Sequence, residues 1–167
     1  MKPTKAFFDG SKFGDKKIRE FFKDVAKESV DSERGMAIIL AAYIEDVLNE
    51  ILKKHLVSEK TYKKKFSRLS FDQLITWCYL AGLINEEIRE DLDKIRDIRN
   101  KFAHKIDITS FNHQWVASRC NNFHALKVLN KVLPNVELRT AKEKYLSVAT
   151  LYLGLLLEKT KSIKRIK

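Results

Sequence analysis

Turn-forming residues are scarce in this chain: its 167 residues include only 5 Gly and 2 Pro. Sandwiches and barrels reverse direction at many tight turns that draw on both residues, so the composition argues against them. Cysteine is equally sparse. Cys78 and Cys120 both lie among apolar neighbours, and two thiols do not make the disulfide framework of a small secreted domain. A reducing, cytoplasmic setting is the expectation. Long hydrophobic runs are missing too. The most apolar stretch, Tyr145 to Leu157, is 13 residues and contains Ser147, Thr150 and Gly154. A membrane-spanning helix needs roughly 20 apolar residues, so this stretch reads as a buried core helix, and no membrane partner is expected. No apolar block follows Lys2 and Lys5, so no signal peptide is expected either.

What is present favours helices. The chain is 44% hydrophobic and 33% charged, rich in Lys, Glu, Leu, Ile and Ala. The expected fold is all-α, a single-domain bundle of about six to seven helices. Residues 1–13 read as an N-terminal arm, 14–158 as the helical domain and 159–167 as a basic C-terminal tail. The formal charge of +11 concentrates polyanions around the protein without selecting among RNA, DNA, an acidic protein or a membrane surface.

Along the chain, Ile18, Phe21, Phe22 and Val25 recur at helical spacing over about residues 15–27. A second helix follows Ser32 as N-cap and reaches Leu56, with Ile39, Ala42, Tyr43, Val47, Ile51 and Leu52 on its stripe. Gly35, near its start, weakens a helix and implies a close neighbour. Between Lys53 and Arg68 lies a basic connector containing Lys63, Lys64, Lys65 and Arg68, interleaved with Tyr62 and Phe66. Basic residues among aromatics hold phosphates and stack bases, although such runs also occur as solvated surface. Ser70 caps the next helix and Gly82 stops it. Asn85 then caps a helix running to about Ala103. One helix is expected to carry Trp115, Val116, Cys120, Phe123, Leu126 and Leu129 as far as Pro134. A last helix begins near Val136.

The helix after Asn85 is the most informative. Ile84, Ile88, Leu92, Ile95, Ile98 and Phe102 fall on one side of it, and Arg99 lies inside that stripe. A guanidinium on an apolar face is costly unless it is paired or lines a cleft or an interface. Arg96, Asn100 and His104 form an adjacent polar stripe at i, i+4 and i+8, which makes Asn100 and His104 neighbours. Arg99 and His104 stand about 140° apart around an ideal helix, so uniting them takes a helix end or a second subunit. An imidazole exchanges protons near neutral pH, and an arginine stabilises charge on a phosphate in flight. That set suits metal-independent RNA cleavage, in which the substrate's own 2′-hydroxyl is the nucleophile. A helix terminus with an internal ion pair is the structural alternative.

Four elements occur in order: Glu33-Arg34-Gly35 opening a helix, Ala81-Gly82-Leu83-Ile84, Asp91-Leu92, and Ile95 through His104 with Arg99-Asn100-Lys101-Phe102-Ala103-His104. Over roughly residues 28–125 this set resembles the mannitol operon repressor family. The Arg-Asn-x-x-x-His element also resembles the signature of the broader HEPN superfamily, helical bundles that often dimerise and include ribonucleases of toxin–antitoxin and defence systems beside non-catalytic members. The resemblance implies Arg99 and His104 as the catalytic pair with Asn100 assisting. Arg96, Lys63, Lys64, Lys65 and Arg68 would serve as nucleic-acid contacts. It also implies a homodimer, RNA or another polyanion as ligand, and a protein partner, either an antitoxin or a regulator. Many toxin-type members carry Tyr two positions after the histidine, where this chain has Ile106. A non-catalytic regulator working through a protein partner is the second expectation, because no clear helix-turn-helix is present for direct DNA reading.

Other chemistry finds little support. His113, Cys120 and His124 lie close in sequence, but a zinc site takes about four such ligands and no fourth is evident, so no metal is expected. The chain has no Gly-rich phosphate loop and no Gly-x-Ser-x-Gly elbow, and no cofactor is expected. Trp77 and Trp115 read as core residues.

Overall fold

In the computed structural model, residues 32–56, 69–132 and 134–163 are described. They form six helices and no strand: α1 Glu33–Leu56, α2 Phe71–Leu80, α3 Glu86–His104, α4 Gln114–Asn121, α5 Ala125–Val132 and α6 Ala141–Ser162. The all-α expectation holds. The expected helix over residues 15–27 and the basic run from Lys60 to Arg68 lie outside the described residues, except that Lys53 and Lys54 sit in the last turn of α1.

Short-range polar chemistry starts most of these helices. Ser32 Oγ accepts from Gly35 N at 3.0 Å. Ser70 forms a reciprocal capping box with Gln73, and Asn85 Oδ1 accepts from Ile88 N at 3.0 Å. Gly82 closes α2 with φ at +67°, a left-handed conformation that side chains with a Cβ resist. Gly35 has no positive φ. Among the described residues, a Cβ there would meet only Ser32, at 3.5 Å, an ordinary contact.

Helix α1 packs most extensively on α6, then on α3 and α2. It runs parallel to α6, because Tyr145 Oη donates to Ala37 O at 3.0 Å near one end and Lys54 Nζ to Thr160 O at 3.3 Å near the other. Helix α3 lies antiparallel to both. Arg34, at the start of α1, reaches Ala103 at the end of α3, while Lys159 near the end of α6 donates to Leu83 O just before α3 begins. The core between them includes Leu40, Ile44, Leu48, Leu74, Leu92, Ile95, Phe102 and Leu153. Phe111 stacks edge-on against Phe102 at 5.2 Å and tilts against Tyr145 at 5.1 Å.

Three boundaries differ from the sequence reading. The single helix expected from Trp115 to Pro134 is two, broken at Asn122-Phe123-His124. Asp91 of α3 causes the break: its carboxylate accepts from His124 N at 2.8 Å and Ala125 N at 2.9 Å, capping α5 from another helix. Helix α6 starts at Ala141, not Val136, because Thr140 and Glu143 form a capping box there, and Glu143 also accepts from Arg139 N. It continues to Ser162, so Lys159 and Lys161 belong to the helix and not to a tail. Among the described residues, no helix is long and apolar enough to cross a membrane.

Candidate functional site

Helix α3 presents the sequence-selected residues. Glu86 and Glu87 occupy its first turn and Lys101 and His104 its last, each favourable to the helix dipole. Leu92, Ile95, Ile98 and Phe102 are buried and fix its rotation. Arg99 consequently sits at the edge of the apolar stripe, facing α1. Its Nη1 donates to Asn100 Oδ1 at 3.0 Å, and its Nη2 lies 3.7 Å from Glu45 Oε2 of α1. The Nε atom is buried without a hydrogen-bond partner among the described residues. The side chain keeps 32% of its surface exposed, so the guanidinium is neither sealed nor free. Burial raises the pKa of Glu45 above the usual carboxylate range, Arg99 opposes that rise, and Asp46 adds to it.

Asn100 thus serves Arg99. His104, which closes α3, is exposed and has no hydrogen-bond or ion-pair partner among the described residues. Lys105 follows in extended backbone, its N–H bonded to Lys101 O at 2.9 Å. The helix does end at His104, but Arg99 points toward α1 while His104 points to solvent, and one chain does not bring them together.

Arg96 is differently placed. Its guanidinium contacts Asp72, Asp93 at 2.7 Å and Asp97 at 3.0 Å. Three carboxylates around one cation leave no positive charge to offer a strand. Arg119 approaches Asp97 as well, at 3.7 Å. Lys63, Lys64, Lys65 and Arg68 lie outside the described residues.

Two supports of this site were not legible as such in the sequence. Arg34 Nη2 donates to Ala103 O at 3.1 Å, a cation on the terminal carbonyls of α3. Beside it, Glu33 Oε2 accepts from Phe111 N at 2.8 Å and its Oε1 lies 3.4 Å from Lys142. The Glu33-Arg34 pair therefore clamps both the end of α3 and the loop that leaves it. Asp91, fully buried, is the second support. Besides the two α5 amides, it accepts from Lys94 Nζ at 2.9 Å and Tyr152 Oη at 2.7 Å. A lone carboxylate among Ile88, Leu92 and Ile95 was the available signal, but its partners lie far along the chain.

The other constellation separates. His113 Nδ1 accepts from Trp115 N at 3.3 Å at the head of α4, His124 Nε2 meets Glu90 Oε2 at 2.6 Å, and Cys120 is buried. Among the described residues, no three His, Cys, Asp or Glu side chains converge as metal ligands. Trp77 departs from the core expectation. Helix α2 turns Phe71, Leu74, Ile75 and Cys78 inward, which leaves Trp77 on its outer face, 47% exposed. Trp115 is half-buried, with Lys101 Nζ at 4.9 Å and Arg119 Cζ at 5.0 Å from its ring centroid.

Compared with known protein families, with curated proteins and with solved structures, the chain matches none.

Proposed function

We propose that this chain is an RNA-directed helical domain of the HEPN kind, a homodimer in which the α3 ends of two copies act together as a metal-independent endoribonuclease. The observation that carries this reading is the incomplete pairing of Arg99. One of its N–H groups is buried without an acceptor, its carboxylate neighbour stands at 3.7 Å, and a third of the side chain faces solvent. A guanidinium built only as a structural lock would have its donors satisfied. The solvent-facing part of this one, with its only carboxylate neighbour among the described residues at 3.7 Å, has capacity left for a phosphate oxygen.

The chemistry follows from the residue types. Arg99 holds the scissile phosphate and stabilises charge developing on its oxygens. Asn100 orients the guanidinium through the 3.0 Å contact. His104 takes the proton of the ribose 2′-hydroxyl, whose oxygen attacks phosphorus as the P–O5′ bond breaks, and the imidazolium returns that proton to the leaving 5′-oxygen. The products are a 2′,3′-cyclic phosphate and a 5′-hydroxyl. Because Arg99 and His104 diverge on one helix, the reading requires the histidine of one copy to work with the arginine of the other.

Purified protein incubated with mixed-sequence RNA in EDTA tests the proposal. Wild type should cleave, and His104→Ala and Arg99→Ala should each lose at least about 100-fold. A chain with no activity, or variants that cut as well as wild type, would sink it. A second reading draws on the Glu45 contact, which makes Arg99 partly an internal ion-pair member. In it the protein is a non-catalytic regulator of mannitol-operon-repressor type that works through a protein partner, and neither substitution uncovers an RNA activity.

A further inference from the structure

Away from the end of α3, the loop joining α5 to α6 closes over a cleft of about 410 Å³. Leu126 and Asn130 of α5, Pro134, Val136 and Leu138 of the loop, and Lys144 of α6 line it. The volume lies within the range of about 300 to 1,000 Å³ that small-molecule sites occupy. Leu126, Pro134, Val136 and Leu138 supply an aliphatic wall.

The cleft carries one cation and one carboxylate, and only the carboxylate has an ion-pair partner among the described residues. Lys144 Nζ donates to Asn121 Oδ1 at 2.8 Å, a neutral partner, and no carboxylate lies within ion-pair distance of it among the described residues. Lys142, two residues earlier, is by contrast paired with Glu33. Glu137 also lines the cleft, but Arg139 engages the same carboxylate oxygen through two nitrogens, at 2.9 and 2.7 Å. Lys144 moreover sits close to the start of α6, where the helix dipole opposes a cation and favours an anion. An ammonium bonded to an amide and without a carboxylate partner among the described residues, beside an aliphatic wall, fits one kind of molecule.

We infer that this cleft binds a small organic carboxylate with an aliphatic body. The carboxylate sits against Lys144 and the amide of Asn130, and the alkyl part lies on Leu126, Val136 and Leu138. Displacing water from that wall adds to the charge-assisted hydrogen bond. The pocket is independent of Arg99 and His104, and its ligand is not a nucleic acid.

Titration of the 167-residue chain with octanoate, followed by amide resonances, tests this, with acetate and octylamine titrated in parallel. Octanoate should produce saturable shifts confined to Leu126, Asn130, Val136, Leu138 and Lys144. Acetate and octylamine should bind at least 10-fold more weakly. Lys144→Gln should weaken octanoate at least 10-fold, and Val136→Asp, at an exposed loop position, should do the same without disturbing the core. Equal affinity for acetate would show an adventitious anion contact. Equal affinity for octylamine would show unspecific apolar binding. Either result, or the absence of saturable shifts, overturns the assignment.

Discussion

Arg34 and Ala103 are 69 residues apart in sequence and 3.1 Å apart in the fold, the guanidinium of one donating to the backbone carbonyl of the other. That bond anchors the last turn of α3, whose next residue is His104, to the first turn of α1. The end of α3 is thus held from outside the helix, and its geometry depends on a residue that touches nothing reactive.

Arg34→Met should therefore loosen the terminus without exposing core. The expected loss is about 1 to 2 kcal/mol of stability, the worth of one charge-assisted hydrogen bond. Hydrogen exchange should speed up at Lys101 to Lys105 more than at Leu92 or Ile95. Uniform acceleration along α3 would contradict the anchoring role.

Asp91 should be far less tolerant. Its carboxylate satisfies four donors from α3, α6 and the start of α5. Asp91→Ala strands Lys94, Tyr152 and two amides, and should cost about 3 to 5 kcal/mol in urea unfolding. Tyr152→Phe removes a single donor and should cost about 1 kcal/mol. Similar losses from the two substitutions would show that the carboxylate is not the hub.

Gly35 and Gly82 should respond in opposite directions to alanine. Gly82→Ala places a Cβ at φ +67° and should destabilise by about 1 to 2 kcal/mol. Gly35→Ala, in the first turn of α1, meets only ordinary contact with Ser32 among the described residues and should stabilise by roughly 0.5 to 1 kcal/mol. Thermal unfolding of both variants beside wild type checks the pair.

Stability should decline in alkali. Burial pushes the thiols of Cys78 and Cys120 up to about 12 and raises Tyr145 as well. Tyr152 is raised by burial and by the hydrogen bond it gives Asp91. Each group keeps its proton in the folded state over a range where the unfolded chain releases it, beginning near about 8.5 for thiols and about 10 for tyrosines. The stabilisation is complete below those values and is lost as pH rises toward the folded ones. Urea midpoints should fall steadily between pH 8 and 10.5, and both thiols should resist a disulfide reagent until unfolding. A flat profile would refute this account.

Much of the fold was legible in residues a few positions apart. Ser70 with Gln73 and Asn85 with Ile88 start α2 and α3 through contacts three residues long. The stripe of Leu92, Ile95, Ile98 and Phe102 defines the buried face of α3, and Arg99 falls at its edge for the same reason. The break between α4 and α5 was not legible, because the acceptor that makes it comes from Asp91, 33 residues upstream of His124. Nor was the fate of Arg96, which depends partly on Asp72 arriving from α2.

By itself, the sequence determined the helical class, the caps at Ser32, Ser70 and Asn85, and the order of residues along the end of α3, since these follow from periodicity and neighbouring hydrogen bonds. Tertiary structure alone decided which of those residues keeps free chemistry. Packing against α1 gave Arg99 a distant carboxylate and left one N–H unpaired among the described residues, packing near α2 added Asp72 to the Asp93 and Asp97 already beside Arg96 on α3, and His104 stayed exposed. The physical reason is range: a cap is satisfied within one turn, whereas the pairing of a long cationic side chain depends on which helix the fold brings alongside it.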